Sequence, residues 1–447
     1  MKSLAFVLSI LGAIFTSPAG AWSNHSLPAY RALEAMPEVA NADPVIAEPL
    51  EAFLKAEEKT LEALLASQEA WAASNLENYP VRPAALAFIA KPERSDKARR
   101  LAFLTALRVA PDSKFVLYIQ SDPRAGAIKG ALLPYAAVNT LPEPKNASQK
   151  FVALKAGERV AALAVVASAA DEPDYGLDIN LWDDSPSAWG KTYGFGTLPF
   201  GNPALSFSTQ APFHMAFMHE SRVLYLAAPF LKRTFPRLRT YQYSTLAALA
   251  FRTGHPYWGW RFTGLALHYL QDLTQPYHSS LAPAESTAKL LWANALAMAG
   301  MHSMKDDMIV LLSNRHLALE KYQSELLDND AHAQQDTAIE KALRNMDKDT
   351  RYPEWSEQYL RDVVSPQAAA AGPQLVRTLV ATMPAEYVSN PAFDFGTKED
   401  TINLVAELAK TDPAARAKLD AAIAELLANF GAHSRNAVRG ILKASNH

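Results

Sequence analysis

The run His268-Tyr269-Leu270-Gln271-Asp272-Leu273-Thr274-Gln275-Pro276-Tyr277-His278 holds three metal-capable side chains in one short stretch. On a helix, His268 and Asp272 stand one turn apart on the same face. Pro276 cannot continue that helix, so the chain breaks there and His278 can turn back toward the pair. Three further His residues have a carboxylate four places on: His302 with Asp306, His316 with Glu320, and His332 with Asp336. Random order with 11 His and 46 acidic residues in 447 gives roughly one such pair. The excess therefore lies between residues 268 and 336. Neutral imidazole and carboxylate are the ligands that zinc takes when thiolate is missing, and this chain has no cysteine. A Cys-rich structural site is excluded. A His/Asp/Glu site is the kind that keeps a position open for water and substrate.

Outward from this run the pattern is mainly helical. Leu50, Phe53, Leu54, Leu61, Leu64 and Leu65 form a stripe bounded by Pro49 and Asn75. Near the C-terminus Thr411-Asp412-Pro413 reads as a helix start and Gly431 as its stop, with Leu419, Ile423, Leu426 and Leu427 between them. Lys114 to Gln120 is short and apolar enough to be either a strand or a buried helix. Between Asp171 and Pro212, Pro and Gly gather with Trp182, Trp189, Tyr193, Phe195 and Phe200. So long a connection either lines a site or is packed by its own rings.

Met1 to Ala21 has the form of an export signal: Lys2, an apolar stretch from Leu4 to Phe15, then Ala19-Gly20-Ala21 before the cleavage point. The apolar stretch is shorter than the ~20 residues that span a bilayer. Cleavage would leave Trp22 first, and a secreted or periplasmic protein with no transmembrane segment is expected. Removing Lys2 changes the charge from 43 minus 46 to 42 minus 46, or −4. That mild acidity gives no footprint for a stable nucleic-acid partner. Without disulfides, stability must come from core burial and bound metal.

With Trp22 at a new N-terminus, His25 close behind it, and the His268/Asp272/His278 run with Gln275-Pro276, the chain resembles the bacterial zinc-dependent phospholipase C family. That family shares a superfamily with the fungal single-strand nucleases. The resemblance implies an all-helical core with three zinc ions, one chelated by the amino group and carbonyl of Trp22. Matched residue by residue, it implies His268 and Asp272 as the helix pair, with Asp272 bridging two metals, and His278 as a ligand of the remaining one. Asn314-Arg315-His316-Leu317-Ala318-Leu319-Glu320 resembles the element that completes that last site. Asp174-Tyr175 resembles the Asp-Tyr whose carboxylate binds the paired metals and whose ring faces a choline cation. His214 resembles the His that shares that metal.

The ligand set implied is thus Trp22, His25, Asp174, His214, His268, Asp272, His278, His316 and Glu320. Asp171 and Asp178 compete with Asp174, His219 with His214, and His302/Asp306 with His316/Glu320. Glu220 is a candidate support for either His, His332 with Asp336 reads as a solvated pair, and His255 as a turn residue. Residues 22 to 330 would form the catalytic core, with about 48 to 165 inserted and 331 to 447 added at the C-terminus.

Clustered zinc would screen the anionic oxygens of a phosphodiester, and Asp174 would orient or deprotonate the attacking water. Neither a nucleophile elbow nor a phosphate-gripping glycine loop is present. The expected substrate is a phospholipid of the phosphatidylcholine type at a membrane or micelle surface, split to diacylglycerol and a phosphorylated head group, with Tyr175 holding the ammonium by cation–π attraction. A single-strand nuclease would stack bases on such rings instead. A zinc-stabilised binding module without turnover is the third reading.

Overall fold

The structure is a computed structural model that describes residues 24–446, apart from 146 and 335. The export signal Met1–Ala21 and Trp22 lie outside the described residues. Helix accounts for 62% of the residues and strand for 3%, which makes the chain mainly α. No helix among the described residues is long and apolar enough to cross a membrane.

At the centre lies the helix Pro256–Asp272, the His268 helix. Every residue from Tyr257 to Asp272 is buried, so it has no solvated face and is enclosed by other elements. The helix Pro236–Arg252 packs along it through a turn at Gly254, where φ is +82°. The short helix Ala162–Ala169 crosses it closely at Gly264. A Cβ at Gly264 would stand 2.4 Å from the Val166 carbonyl oxygen, so glycine permits an approach that any side chain would block. This approach brings the Ala170 carbonyl to His268 one turn further on.

Two buried ion pairs fix the segment that carries Asp174. Glu172 takes two bonds from Arg261, at 2.6 and 2.9 Å, and Asp178 Oδ1 takes one from Arg239 Nε at 2.8 Å, with Arg239 Nη2 2.6 Å from the same oxygen. The 3-10 turn Glu172–Tyr175 is therefore tied to one central helix while Asp178 is tied to the other. The bidentate Arg261–Glu172 pair orients its segment as well as holding it.

The stripe beginning at Leu50 forms two helices, Leu50–Ala56 and Glu58–Asn75, with the bounds the proline and asparagine mark. Lys114 to Gln120 resolves as a short strand, Tyr118–Gln120, antiparallel to Phe151–Ala153 with Gln120 opposite Phe151. Leu132–Leu133 pairs on the other edge of Phe151–Ala153, and Val45–Ile46 pairs antiparallel with Arg159–Val160. Residues 48–165, expected as an insertion, share one core with the His268 helix: Phe53, Leu61 and Phe103 belong to the same buried cluster as Trp258 and Leu265. The C-terminal part also joins it, through Val438 and Ile441.

Gly431 does not stop its helix, which runs from Pro413 to Ser445. The start is as expected, with the Asp412 side chain accepting from the Ala415 amide. The glycine serves packing instead, since a Cβ there would meet the Leu343 carbonyl oxygen at 2.5 Å. The aromatic stretch 171–212 is packed by its own rings: Trp182, Tyr193 and Phe195 are buried with Phe213 and Phe235, and the Trp182 indole donates to the Thr209 carbonyl. It thereby supports the short helix Ala211–His214.

Replacing Arg261 with Met should destabilise the protein by about 3–5 kcal/mol, because Glu172 is left buried and unpaired. Adding Glu172→Leu should restore part of that loss. Urea unfolding of the single and double variants checks both, and a single variant as stable as the parent would remove the pair from the account.

Candidate metal centre

His268 and Asp272 occupy the last two turns of the central helix, both fully buried. The His268 Nδ1 stands 2.7 Å from the Ala170 carbonyl oxygen, which only an N–H can satisfy, so a neutral ring presents a bare Nε2 to the interior. That Nε2 lies 3.0 Å from His214 Nδ1 and 3.4 Å from Asp272 Oδ2. The two oxygens of Asp272 point to different partners. Oδ2 is 2.9 Å from His214 Nδ1, whereas Oδ1 is 3.2 Å from His25 Nε2.

His25 stands at the start of the helix Ser26–Glu34. Its backbone amide and that of Ser26 donate to Asp171 Oδ1, at 2.5 and 3.3 Å, which satisfies amides at that helix start. The ring Nδ1 faces Gln271 Oε1 at 3.0 Å, so its Nε2 also turns inward. Asp174 Oδ1 completes this half, 3.7 Å from both His214 Nδ1 and His268 Nε2. With 17% of its side chain exposed, against 4% or less for its neighbours, Asp174 is the group on the solvent side.

The other half forms where Pro276 starts a new short helix, Pro276–Ser279. His278 Nδ1 lies 2.9 Å from the His214 carbonyl oxygen, which holds its tautomer as Ala170 holds that of His268. Its Nε2 meets His316 Nε2 at 3.1 Å and Glu320 Oε1 at 3.5 Å, and His316 Nε2 is 2.6 Å from the same oxygen. Gln275 donates to Glu320 Oε1 at 3.0 Å. Glu220 accepts from the Leu281 amide at 2.8 Å and so ties down the chain that follows His278.

Three groups thus gather atoms close enough to hold a metal ion: His25, His268 and Asp272; Asp174, His214 and His268; His278, His316 and Glu320. His268 belongs to two of them. The donor set fits a metal on three counts. His25 Nε2 and Asp272 Oδ1, which face each other at 3.2 Å, are buried without a hydrogen-bond partner. Asp171, Asp174, Asp272 and Glu320 have no Lys or Arg within ion-pair distance among the described residues. Such buried carboxylates cost several kcal/mol unless positive charge offsets them. Bare imidazole nitrogens also converge in pairs, and only a proton or a metal can sit between them.

The electrostatics follow from the same burial. Burial pushes the Asp174 carboxyl up to about 7, against the pull of His214 and His25. Glu320 is pushed up to about 8 by burial, and the His316 ring down to about 3. Burial alone would lower His214, but Asp178 and Asp272 outweigh it and raise the ring to about 10. Burial likewise works against the Asp272 charge, and the surrounding imidazoles hold the carboxyl well below its usual range.

The rivals fall elsewhere. His219 is exposed with its Nε2 on the Arg361 carbonyl, and His302 is exposed at the start of the helix Ser303–Ala333. His332 is exposed and leans on Asp328, not on Asp336, which pairs with Arg344. His255 does more than turn the chain, since it lies between Glu48 and Glu57 at 2.9 and 3.6 Å. Asp171 and Asp178 stand behind the ligands: Asp171 holds the His25 amide, and Asp178 Oδ2 lies 3.6 Å from His214 Nε2.

Tyr175, expected to face a choline cation, is buried instead, 7% exposed. Its ring packs edge-on against Phe151, and its hydroxyl donates to Gln120 and reaches Asp171. Asn314 does not enter the His316 group but clamps the chain at Phe393 and Phe395. Gln271, Gln275 and Gln120 were not legible as site residues, because an amide side chain carries no metal signature of its own.

Compared with known families and proteins, the chain matches no family model, no curated sequence and no solved structure.

From pH 7 to 9 the metal-free fold should lose stability. Asp174, Glu320 and His214 still bind protons there that the unfolded chain has released, so stability must fall as pH rises. Metal displaces those protons, and the loaded protein should lack this slope. Thermal melts of both forms across the window decide it; metal-free stability that rises with pH would contradict the assignment.

Proposed function

We propose that this chain is an exported zinc-dependent phosphodiesterase that cleaves phospholipids of the phosphatidylcholine type to diacylglycerol and a phosphorylated head group. The observation that carries the reading is that His268 belongs to two neighbouring three-donor groups while the two oxygens of Asp272 face His25 of one and His214 of the other, with a third group held to them through the His214 carbonyl. Structural sites are usually closed and single, whereas adjacent groups with a partly exposed carboxylate suit a reacting phosphodiester. Bound there, zinc would supply positive charge for the phosphoryl oxygens and lower the pKa of water from 15.7 to near 7.

The chain's own residues then have distinct tasks. Asp174, the carboxylate on the solvent side, is placed to orient the attacking water and accept its proton at a carboxylate oxygen. As the water oxygen bonds to phosphorus, the bond to the diacylglycerol oxygen breaks, and that oxygen takes up a proton. The Ala170 and His214 carbonyls keep His268 and His278 from rotating, so their inward nitrogens need no reorganisation during turnover. Asp171 and Gln271 do the same for His25.

A single-strand nuclease is the second reading. Burial of Tyr175 takes away the cation–π contact that would favour choline, while the mildly acidic balance, with a net charge of −3, favours the lipid over a polynucleotide backbone.

The mature protein should turn over phosphatidylcholine vesicles, leave single-stranded DNA intact, and carry about three zinc ions, one for each donor group. The reverse specificity would support the nuclease, and neither activity a binding module. His268→Ala should reduce the rate by orders of magnitude, because two of the groups lose a donor, and His332→Ala should leave it unchanged.

A further inference from the structure

The chain that joins His278 to the His316 helix carries a surface of its own. It forms the helix Thr287–Met298, which turns only Ala293 and Ala297 inward, one turn apart on one face. At roughly 3.6 residues per turn, the opposite arc holds Ala288, Leu291, Trp292, Ala295 and Met298, none of them charged. Trp292 is 60% exposed, Met298 63%, and Met301 just beyond the helix end 54%. From Leu290 to Met304 the chain has no Asp, Glu, Lys or Arg. A helix this apolar is ordinarily enclosed, as the His268 helix is, whereas this one is enclosed on a single face.

The helix is fixed at its start. Ser286 caps it by accepting from the Lys289 amide at 3.2 Å, and the Thr287 hydroxyl donates to that of Ser221 at 3.1 Å. Ser221 in turn caps the short helix Arg222–Ala227, which packs against the first. This second helix buries only Leu224 and leaves Leu226 84% exposed. The charges around the two helices are of both signs and lie at the margin. Lys289 pairs with Glu285 at 2.7 Å, Glu220 is taken by the Leu281 amide, and Arg222 is exposed at the start of its helix. Asp306 and Asp307 are exposed near the start of the helix Ser303–Ala333.

We propose that the outer face of Thr287–Met298 docks on a neutral phospholipid bilayer, with Trp292 and Met298 entering the boundary between head groups and acyl chains, a choice of partner that rests on the proposed phospholipid activity. At 12 residues the helix is roughly 18 Å long, too short to cross a bilayer core of about 30 Å. Lying flat it presents roughly 18 by 10 Å, well under the ~800 Å² that each partner gives to a stable protein complex. A lipid surface demands no such area, because each apolar side chain taken out of water contributes by itself. Tryptophan favours the boundary, since its ring is apolar and its N–H polar. Charges of both signs at the margin offset one another, so binding draws on burial and not on anionic lipid. The docked helix is itself the link between His278 and the helix carrying His316, and it thereby orients the third donor group relative to the bilayer.

Flotation of the zinc-loaded protein with vesicles tests this. The vesicles consist of a phosphatidylcholine analogue in which CH2 replaces the scissile ester oxygen, so binding is read without turnover. The protein should float with them at low and at high salt alike. Trp292→Ser combined with Met298→Ser should weaken the partition by roughly tenfold or more, whereas Leu101→Ser, at an exposed apolar side chain on another helix, should leave it unchanged, with equal zinc content throughout. A double variant that floats as the parent does, a parent that does not float, or flotation that needs anionic lipid or is lost at high salt overturns the proposal. A dimer of the parent that the double variant loses in sedimentation also overturns it, since a second copy then covers this face. Hydrolysis of a short-chain phosphatidylcholine below its micelle concentration tests the enzyme separately: flotation without hydrolysis removes the phospholipase and keeps the docking face, and hydrolysis without flotation does the reverse.

Discussion

Asp272 is the constraint on which the rest of the site depends. A carboxylate with no exposure cannot stay ionised in a protein interior unless positive charge or several donors surround it. No Lys or Arg pairs with it among the described residues; what surrounds it is three imidazoles, His25, His214 and His268. Each ring brings a nitrogen within 3.4 Å, and each arrives from a different part of the chain. The same shortage of cationic partners recurs at Glu320. Without metal, a proton on His214 offsets the Asp272 charge, and a divalent metal bound there would take its place.

The scaffold responds to that constraint at several removes. Arg239 and Arg261 neutralise Asp178 and Glu172 on either side of Asp174, leaving Asp174 itself uncompensated. Backbone carbonyls at Ala170 and His214 fix two ring tautomers, and Gly264 allows the first of these contacts by letting two helices meet. The small sheet contributes through Gln120, which donates to Asp171 at 3.0 Å and so steadies the carboxylate holding His25. The C-terminal helix contributes through Ser434, which accepts from Gln271 at 3.1 Å. Regions that look like additions in the linear sequence thus reach the ligands at one remove.

Helical class and the His268/Asp272/His278 run were legible because they rest on local spacing: four residues make one helical turn, and proline ends it; His316/Glu320 shares that spacing with His302/Asp306, and only the resemblance favoured it. His25, Asp174 and His214 could be suggested only by resemblance, since nothing local separates Asp174 from Asp171 or Asp178. The difference between them is tertiary, set by which carboxylate Arg239 takes and which one the amides of His25 and Ser26 take. Gly431 and Tyr175 were misread for a related reason. A glycine late in a helical pattern signals a stop only if nothing packs on it, and a tyrosine beside a ligand faces substrate only if no apolar cluster claims its ring.

The central claim is that buried imidazoles and carboxylates converge to hold several metals at once. Anomalous diffraction from crystals of the mature protein, recorded at the zinc edge, tests it most directly. Peaks are expected among His25, His268 and Asp272, among Asp174, His214 and His268, and among His278, His316 and Glu320. A zinc-loaded crystal with no anomalous density among these residues would contradict it.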